Sequence, residues 1–232
     1  NIFNVLMVLG LSALIIPLVV SRQLVRFDVP IMIAAGFLAW FLALDGSYSR
    51  IDGLILFSGI VVYTGYLIIS SLKAFKAGKT LASDDEYTTD INPHRFASLI
   101  NTAYLVIGLI LLVTGSNLLV TGAVSLAQAL GLSELVIGLT IIAIGTSLPE
   151  LATSLIAAWK GERDIAVGNI VGSNLFNLLA VLGLAGLVSP ENIAVARSAI
   201  EFDFPVMMAV MVACLPVFFA GYSINRWEGA LF

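Results

Sequence analysis

Charge is what this sequence has least of. Only 11% of its 232 residues are Asp, Glu, Lys or Arg, against about 25% in a soluble domain. The one cysteine, Cys214, excludes an internal disulfide and says nothing about redox compartment. The one histidine, His94, lies in a polar loop, so no apolar stretch carries a His to activate a nucleophile. No apolar stretch carries a central pair of aspartates either, which removes the second route to an intramembrane protease. We therefore expect no enzyme and no catalytic residues. No basic patch interleaved with aromatics points to nucleic acid. An initiator Met and a signal peptide with a basic start are also missing, and we expect a fragment lacking both ends.

What fills the chain is apolar: 59% of it is hydrophobic. Apolar stretches run over Ile2–Val20, Val29–Leu44, Leu54–Leu72, Phe96–Leu130, Leu135–Trp159, Ile165–Val188 and Phe204–Ala220, and an eighth begins near Trp227. A membrane helix needs about 20 such residues. The expected fold is all-α and polytopic, with the lipid bilayer as its surroundings. The Phe96–Leu130 stretch is too long to stand upright, so it must tilt or break. Gly115-Ser116-Asn117 and Thr121-Gly122 are the candidate breaks. The single long polar segment, 73–95, divides the remainder of a first membrane half (1–72) from a second half (96–232). It holds an acidic trio, Asp84-Asp85-Glu86, whose spacing is not that of an EF-hand and which reads as a solvated loop.

Alternating loops place Arg22, Arg26, Lys73, Lys76, Lys79, Arg95, Lys160, Arg163 and Arg226 on one side, and only Arg50 and Arg197 on the other. The richer side is cytoplasmic by the positive-inside rule. An internal repeat then sets the architecture. Asn1-Ile-Phe-Asn-Val-Leu-Met-Val-Leu-Gly matches Asn174-Leu-Phe-Asn-Leu-Leu-Ala-Val-Leu-Gly without a gap. Phe27-Asp28-Val29-Pro30 then matches Phe202-Asp203-Phe204-Pro205, and Arg50-Ile51-Asp52-Gly53 matches Arg226-Trp227-Glu228-Gly229. The two copies enter the membrane from opposite sides. Inverted repeats of this kind build transporters with a midplane site. Asp28 and Asp203, two residues before a proline, read as ordinary helix caps.

The chemistry concentrates at Gly145-Thr146-Ser147-Leu148-Pro149-Glu150. Glu150 is the only charge in the middle of its apolar run, and such residues face a bundle interior and serve a pathway. Pro149 cannot donate an N–H to the Gly145 carbonyl and crowds it. On a helix, Ala143, Thr146, Ser147, Glu150 and Ser154 share one stripe. Hydroxyls, a carboxylate and loosened carbonyls are hard oxygen ligands, suited to Na⁺ or Ca²⁺. The bland alternative is a proline kink with a protonated or paired Glu150. A second stripe joins Ser173 and Asn177, four residues apart, with Gly168, Gly172 and Gly183 (repeated as Gly10 in the first half) allowing close helix approach. Small and polar residues also glue membrane helices together, so packing competes with ligation there. Asn4, the repeat mate of Asn177, inherits the same argument, whereas Asn1 and its mate Asn174 suit packing or hydrogen bonding.

The run from Gly138 through Ser154, followed by Ala166-Val-Gly-Asn-Ile-Val-Gly-Ser-Asn-Leu-Phe-Asn177, resembles the second α-repeat of the sodium/calcium exchanger family, in its prokaryotic form. The resemblance implies ten helices in two inverted halves, about eight of them wholly or partly present here. It implies ion ligands at Thr146, Ser147, Glu150 and the Ala143 carbonyl, with Ser173, Asn177 and Asn4. Some members carry aspartate where this chain has Asn177. The implied function is a secondary antiporter exchanging Ca²⁺ for Na⁺ by alternating access in a prokaryotic inner membrane. Its partners would be inorganic cations and lipid, with no cofactor. A proton-coupled Ca²⁺ antiporter and a non-transporting membrane scaffold are the competing expectations. The long Phe96–Leu130 span is the expected sliding gate.

Overall fold

The computed structural model describes residues 1–76, 95–132, 137, 141, 143–219 and 221–232. Lys79, the acidic trio Asp84-Asp85-Glu86 and His94 lie outside the described residues, as does most of the 73–95 linker. Among the described residues five helices are long and apolar enough to cross a membrane: Leu24–Leu42, Arg50–Lys73, Ile100–Ala129, Arg163–Val188 and Ala199–Phe219. A shorter apolar helix, Asn4–Ile15, precedes them. Contacts gather the chain into two units, Asn1–Leu81 with Thr153–Phe232, and Ala82–Ala152.

The larger unit carries the inverted repeat down to single hydrogen bonds. Two short antiparallel ribbons join the copies. In one, Leu18–Val19 pairs with Ser223–Ile224; in the other, Ser47–Tyr48 pairs with Ile193–Ala194. Each ribbon takes its strands from different repeats, and exchanging the repeats turns one ribbon into the other. The first brings the Arg22 and Arg226 loops to one end, where the Arg22 guanidinium lies 5.6 Å from the Tyr222 ring centre. The second gathers the loops of Arg50 and Arg197. The grouping matches the sides deduced from loop charge.

Arginine at the first helical position recurs in the same way. Arg50 Nε donates to the Ser189 carbonyl at 3.2 Å, and a terminal nitrogen of Arg226 donates to the Ile15 carbonyl at 3.3 Å. Each satisfies a helix-end carbonyl with a cation, at the end where the dipole favours one. The helices behind them start on equivalent caps. Ser49 N donates to Asp52 Oδ2 at 2.8 Å, and Asn225 N donates to Glu228 Oε2 at 2.8 Å. These reciprocal caps account for the matched acids at 52 and 228.

Of the glycines expected to allow close helix approach, Gly183 and its mate Gly10 do so, whereas Gly168 and Gly172 do not. Among the described residues, a Cβ on Gly168 would meet only Leu24 at 3.7 Å, and one on Gly172 would meet nothing within 4 Å. The tight crossings belong to Gly53 with Gly183 and Gly186, and to their mates Gly229 and Gly10. A Cβ on Gly53 would stand 2.8 Å from the Gly183 carbonyl oxygen, and one on Gly10 would stand 2.9 Å from that of Gly229. Backbones meet there with no room for a side chain, so the helices gain dispersion contact along their whole length.

Two further expectations change. Arg95–Ala129 is one unbroken helix, so neither Gly115-Ser116-Asn117 nor Thr121-Gly122 breaks it, and tilt alone must absorb its length. Asp28 and Asp203 do not cap helices: neither flanks a non-helical start, and Asp28 makes no capping bond. The helices begin earlier and pass through widened turns over Leu24–Asp28 and Ala199–Asp203. There Val29 N bonds to Leu24 O and Phe204 N to Ala199 O, five residues back. The extra residue in each turn lets the helix run on into Pro30 or Pro205. Asp28 instead accepts from the Tyr63 hydroxyl at 2.9 Å. Outside the spans, Tyr48 donates its hydroxyl to the Ala39 carbonyl at 2.7 Å. Burial, reinforced by the Asp52 carboxylate, pushes that phenol above the ordinary tyrosine range, so the donor stays protonated.

Candidate functional site

The larger unit brings Asn4 and Ser173 together. Asn4 is buried, and its Nδ2 donates to Ser173 Oγ at 3.2 Å and to Asn174 Oδ1 at 3.3 Å. Ser173 Oγ passes its own proton to the Ile170 carbonyl at 3.0 Å, so toward Asn4 it acts as acceptor. Asn4 Oδ1 is buried and, among the described residues, has no hydrogen-bond donor. A buried amide oxygen left so costs about 1–3 kcal/mol unless something positive meets it. Asn177 stands one turn beyond Ser173, at the start of the widened turn Phe176–Val181, and is exposed. Its Nδ2 donates to Asn1 Oδ1 at 3.3 Å, and Asn1 Nδ2 reaches the Asn174 carbonyl at 3.5 Å.

The smaller unit holds Ala143, Thr146, Ser147 and Glu150. The expected continuous helix is interrupted: Ala143–Thr146 and Leu148–Trp159 are separate helical pieces with a turn at Ser147 between them. Ser147 N bonds to Ile144 O at 3.0 Å. A continuous helix would instead give that N–H to the carbonyl of Ala143. Pro149 sits at the opening of the second piece, where its missing N–H costs least. Glu150 follows in that first turn, half-buried, with its carboxylate at the positive end of the helix dipole. Thr146 is exposed and Ser147 buried. The Gly145 carbonyl, loosened by Pro149 as anticipated, accepts from the hydroxyl of Ser116 at 2.7 Å. Ser116 thus partners the hexapeptide instead of breaking its own helix.

Ser154 leaves the ligand stripe. It is fully buried and bonded to the following helix: Asn169 Nδ2 donates to Thr153 Oγ1 at 2.9 Å and to Ser154 Oγ at 3.0 Å. Asn169 escaped attention in the sequence, although it lies four residues before Ser173 on the same polar face. Asn174 takes the hydrogen-bonding role expected of it and of its mate Asn1.

Among the described residues both clusters offer neutral or anionic oxygens and no thiolate or imidazole, a donor set for hard cations. The sequence profile described as "Sodium/calcium exchanger protein" matches residues 1–71 and 100–232. The chain belongs to that family. A protein of Alkalimonas amylolytica named as an antiporter, CaxA, is 42% identical over 238 residues, covering 100% of this chain and 72% of that protein. The inner membrane protein YrbG of Escherichia coli K12 is 36% identical over 215 residues, covering 93% of this chain and 66% of its own length. Among solved structures, the sodium-calcium exchanger NCX_Mj superposes with a TM-score of 0.73 at 30% identity, covering 99% of this chain and 69% of NCX_Mj. The exchanger-family fold is therefore mostly helical, multi-pass and integral to the membrane. The chain is a cation-antiporter type of transport protein, not an enzyme, and its bacterial kinship places it in an inner membrane.

Proposed function

We propose that this exchanger-family protein moves Ca²⁺ against Na⁺ by alternating access, with Glu150 supplying the carboxylate charge. Thr146, Ser147, the Ala143 carbonyl, Asn4, Ser173 and Asn177 supply neutral oxygens. The observation that carries the reading is Asn4 Oδ1, a buried acceptor with no donor among the described residues, beside a serine already spending its proton elsewhere. A bound cation would satisfy such an oxygen. At the turn, Ser147 N–H goes to the Ile144 carbonyl and not to that of Ala143, which favours Ala143 as a further oxygen ligand. Each ion needs the same oxygens, so binding one excludes the other, and that competition is the basis of exchange.

The similarity to a structure named as a sodium-calcium exchanger favours Na⁺ as counter-ion over the proton. The test is ⁴⁵Ca²⁺ uptake into vesicles holding the reconstituted protein. Uptake driven by an outward Na⁺ gradient is the expected result. Uptake driven by a proton gradient and indifferent to Na⁺ would replace the counter-ion. Ca²⁺ uptake that needs neither gradient would remove exchange altogether.

A further inference from the structure

The proposed cation reading gives roles to Asn4 and Asn177 but none to the two asparagines beside them. Asn174 is fully buried, and mid-membrane burial of a primary amide demands partners for both its ends. Its Oδ1 accepts from Asn4 Nδ2 at 3.3 Å, while its Nδ2 points to the Met32 sulfur at 3.6 Å, a weak acceptor. The strong bond is therefore the one to Asn4. Across the pseudo-two-fold, Asn4 maps onto Asn177 and Asn174 maps onto Asn1. The mapped bond exists: Asn177 Nδ2 donates to Asn1 Oδ1, also at 3.3 Å. Two unlike environments, one buried and one exposed, keep the same donor, the same acceptor and the same length.

An amide has two ends that differ by one atom in shape and by everything in electrostatics. Turned one way it offers a cation an oxygen; turned the other it offers two N–H protons and repels the ion. Something must fix the turn. We infer that Asn174 and Asn1 are positioning residues, each holding the ligand asparagine of the opposite repeat by its NH₂ so that its oxygen is presented for a cation. The brace is reciprocal. The amide of the first repeat is set by the second, and that of the second by the first, so neither half-site is oriented without its mate. Asn4 Oδ1, buried and without a donor among the described residues, shows the result of that orientation. Ser173 reinforces it, because its own proton goes to Ile170 and it can only accept from Asn4.

This inference rests on the cation reading, and its test separates the two. A carboxylate has oxygens at both ends and needs no orientation, so Asn4→Asp removes the need for the brace. The apparent affinities for Na⁺ and Ca²⁺ and the maximal exchange rate are measured in reconstituted wild type, Asn174→Leu, Asn4→Asp and the double variant. Asn174→Leu removes the acceptor while keeping the branched shape of the side chain. The expected result is a loss of about tenfold or more in ion affinity, the usual effect of removing a group that orients a metal ligand. In the Asn4→Asp background the same substitution is expected to change affinity by less than about twofold. Equal losses in both backgrounds would make Asn174 a packing residue and overturn the inference, as would wild-type affinity in Asn174→Leu. Asn1→Leu, alone and with Asn177→Asp, repeats the cycle at the exposed site, where folding is under less strain. A wild type that shows no saturable dependence on either ion would sink the cation reading itself.

Discussion

Asn4 carries the site's most demanding single bond pattern: two acceptors on its nitrogen and an oxygen left over. Glu150 is the one carboxylate among the proposed ligands. Replacing that carboxylate by the isosteric amide, Glu150→Gln, keeps the shape and removes the neutralising charge. Coupled Ca²⁺ uptake should fall below about 1% of wild type while the protein still inserts and purifies. A wild-type rate in the same vesicles would strip Glu150 of its role. Asn177→Asp belongs to the same scale. It adds a charge at an exposed position proposed as an oxygen ligand, so the balance between Na⁺ and Ca²⁺ should shift and become dependent on pH across the carboxylate range. Ion dependence indistinguishable from wild type at every pH would leave Asn177 as a helix-packing amide.

Among elements, the interrupted helix at Ser147 and the long Arg95–Ala129 helix depend on each other through one hydroxyl and one glycine. Ser116 Oγ satisfies the Gly145 carbonyl, and a Cβ on Gly145 would drive into the Val120 side chain. Ser116→Ala leaves that carbonyl without its donor, at a cost of about 1–3 kcal/mol for a buried group. A fall of several degrees in thermal midpoint in detergent is expected, and an unchanged midpoint would mean that another group takes over. The crossing of Gly53 with Gly183 is a second such contact. Gly183→Leu would place a side chain against the Phe57 backbone nitrogen, whose approach to a Cβ is already 2.7 Å. The helices must part, and the folded yield should drop sharply.

Across the whole molecule, the two repeats share a plan and differ in charge. Arg22 and Arg26 open one helix; the equivalent positions hold Arg197 and Glu201, bonded to each other at 2.6 Å. One end of the fold thus keeps two cations where the other cancels them, as the positive-inside rule requires of an otherwise two-fold architecture. Orientation is checked with single cysteines at Ser223 and Ser47, one on each ribbon. A membrane-impermeant thiol reagent should reach the first from the cytoplasmic side and the second from the opposite side. The native Cys214 is buried and should stay silent. Labelling of both positions from one side would refute the assigned topology.

Much of this was legible along the chain because the membrane leaves so few choices. In hydrocarbon the backbone must satisfy itself, so apolar runs had to become helices, and a sequence repeat with odd span parity had to become an inverted fold. The oxygen-rich hexapeptide around Glu150 stood out for the same reason: every polar atom there has a cost that only function offsets. What the tertiary structure alone decided are the choices that depend on a partner far away in sequence. Pro149 announced a loosened carbonyl, but only packing named Ser116 as its donor. Asp28 looked like a cap until the helix ran past it through a widened turn to leave it for Tyr63. Gly168 and Gly172 carried the same small-residue signal as Gly183, yet only Gly183 met another backbone, because spacing gives a glycine's face and not what lies opposite. The asparagine pairs make the same point. A side chain's type is written in the sequence, whereas which end of its amide is held depends on atoms about 170 residues away, brought within 3.3 Å by the fold.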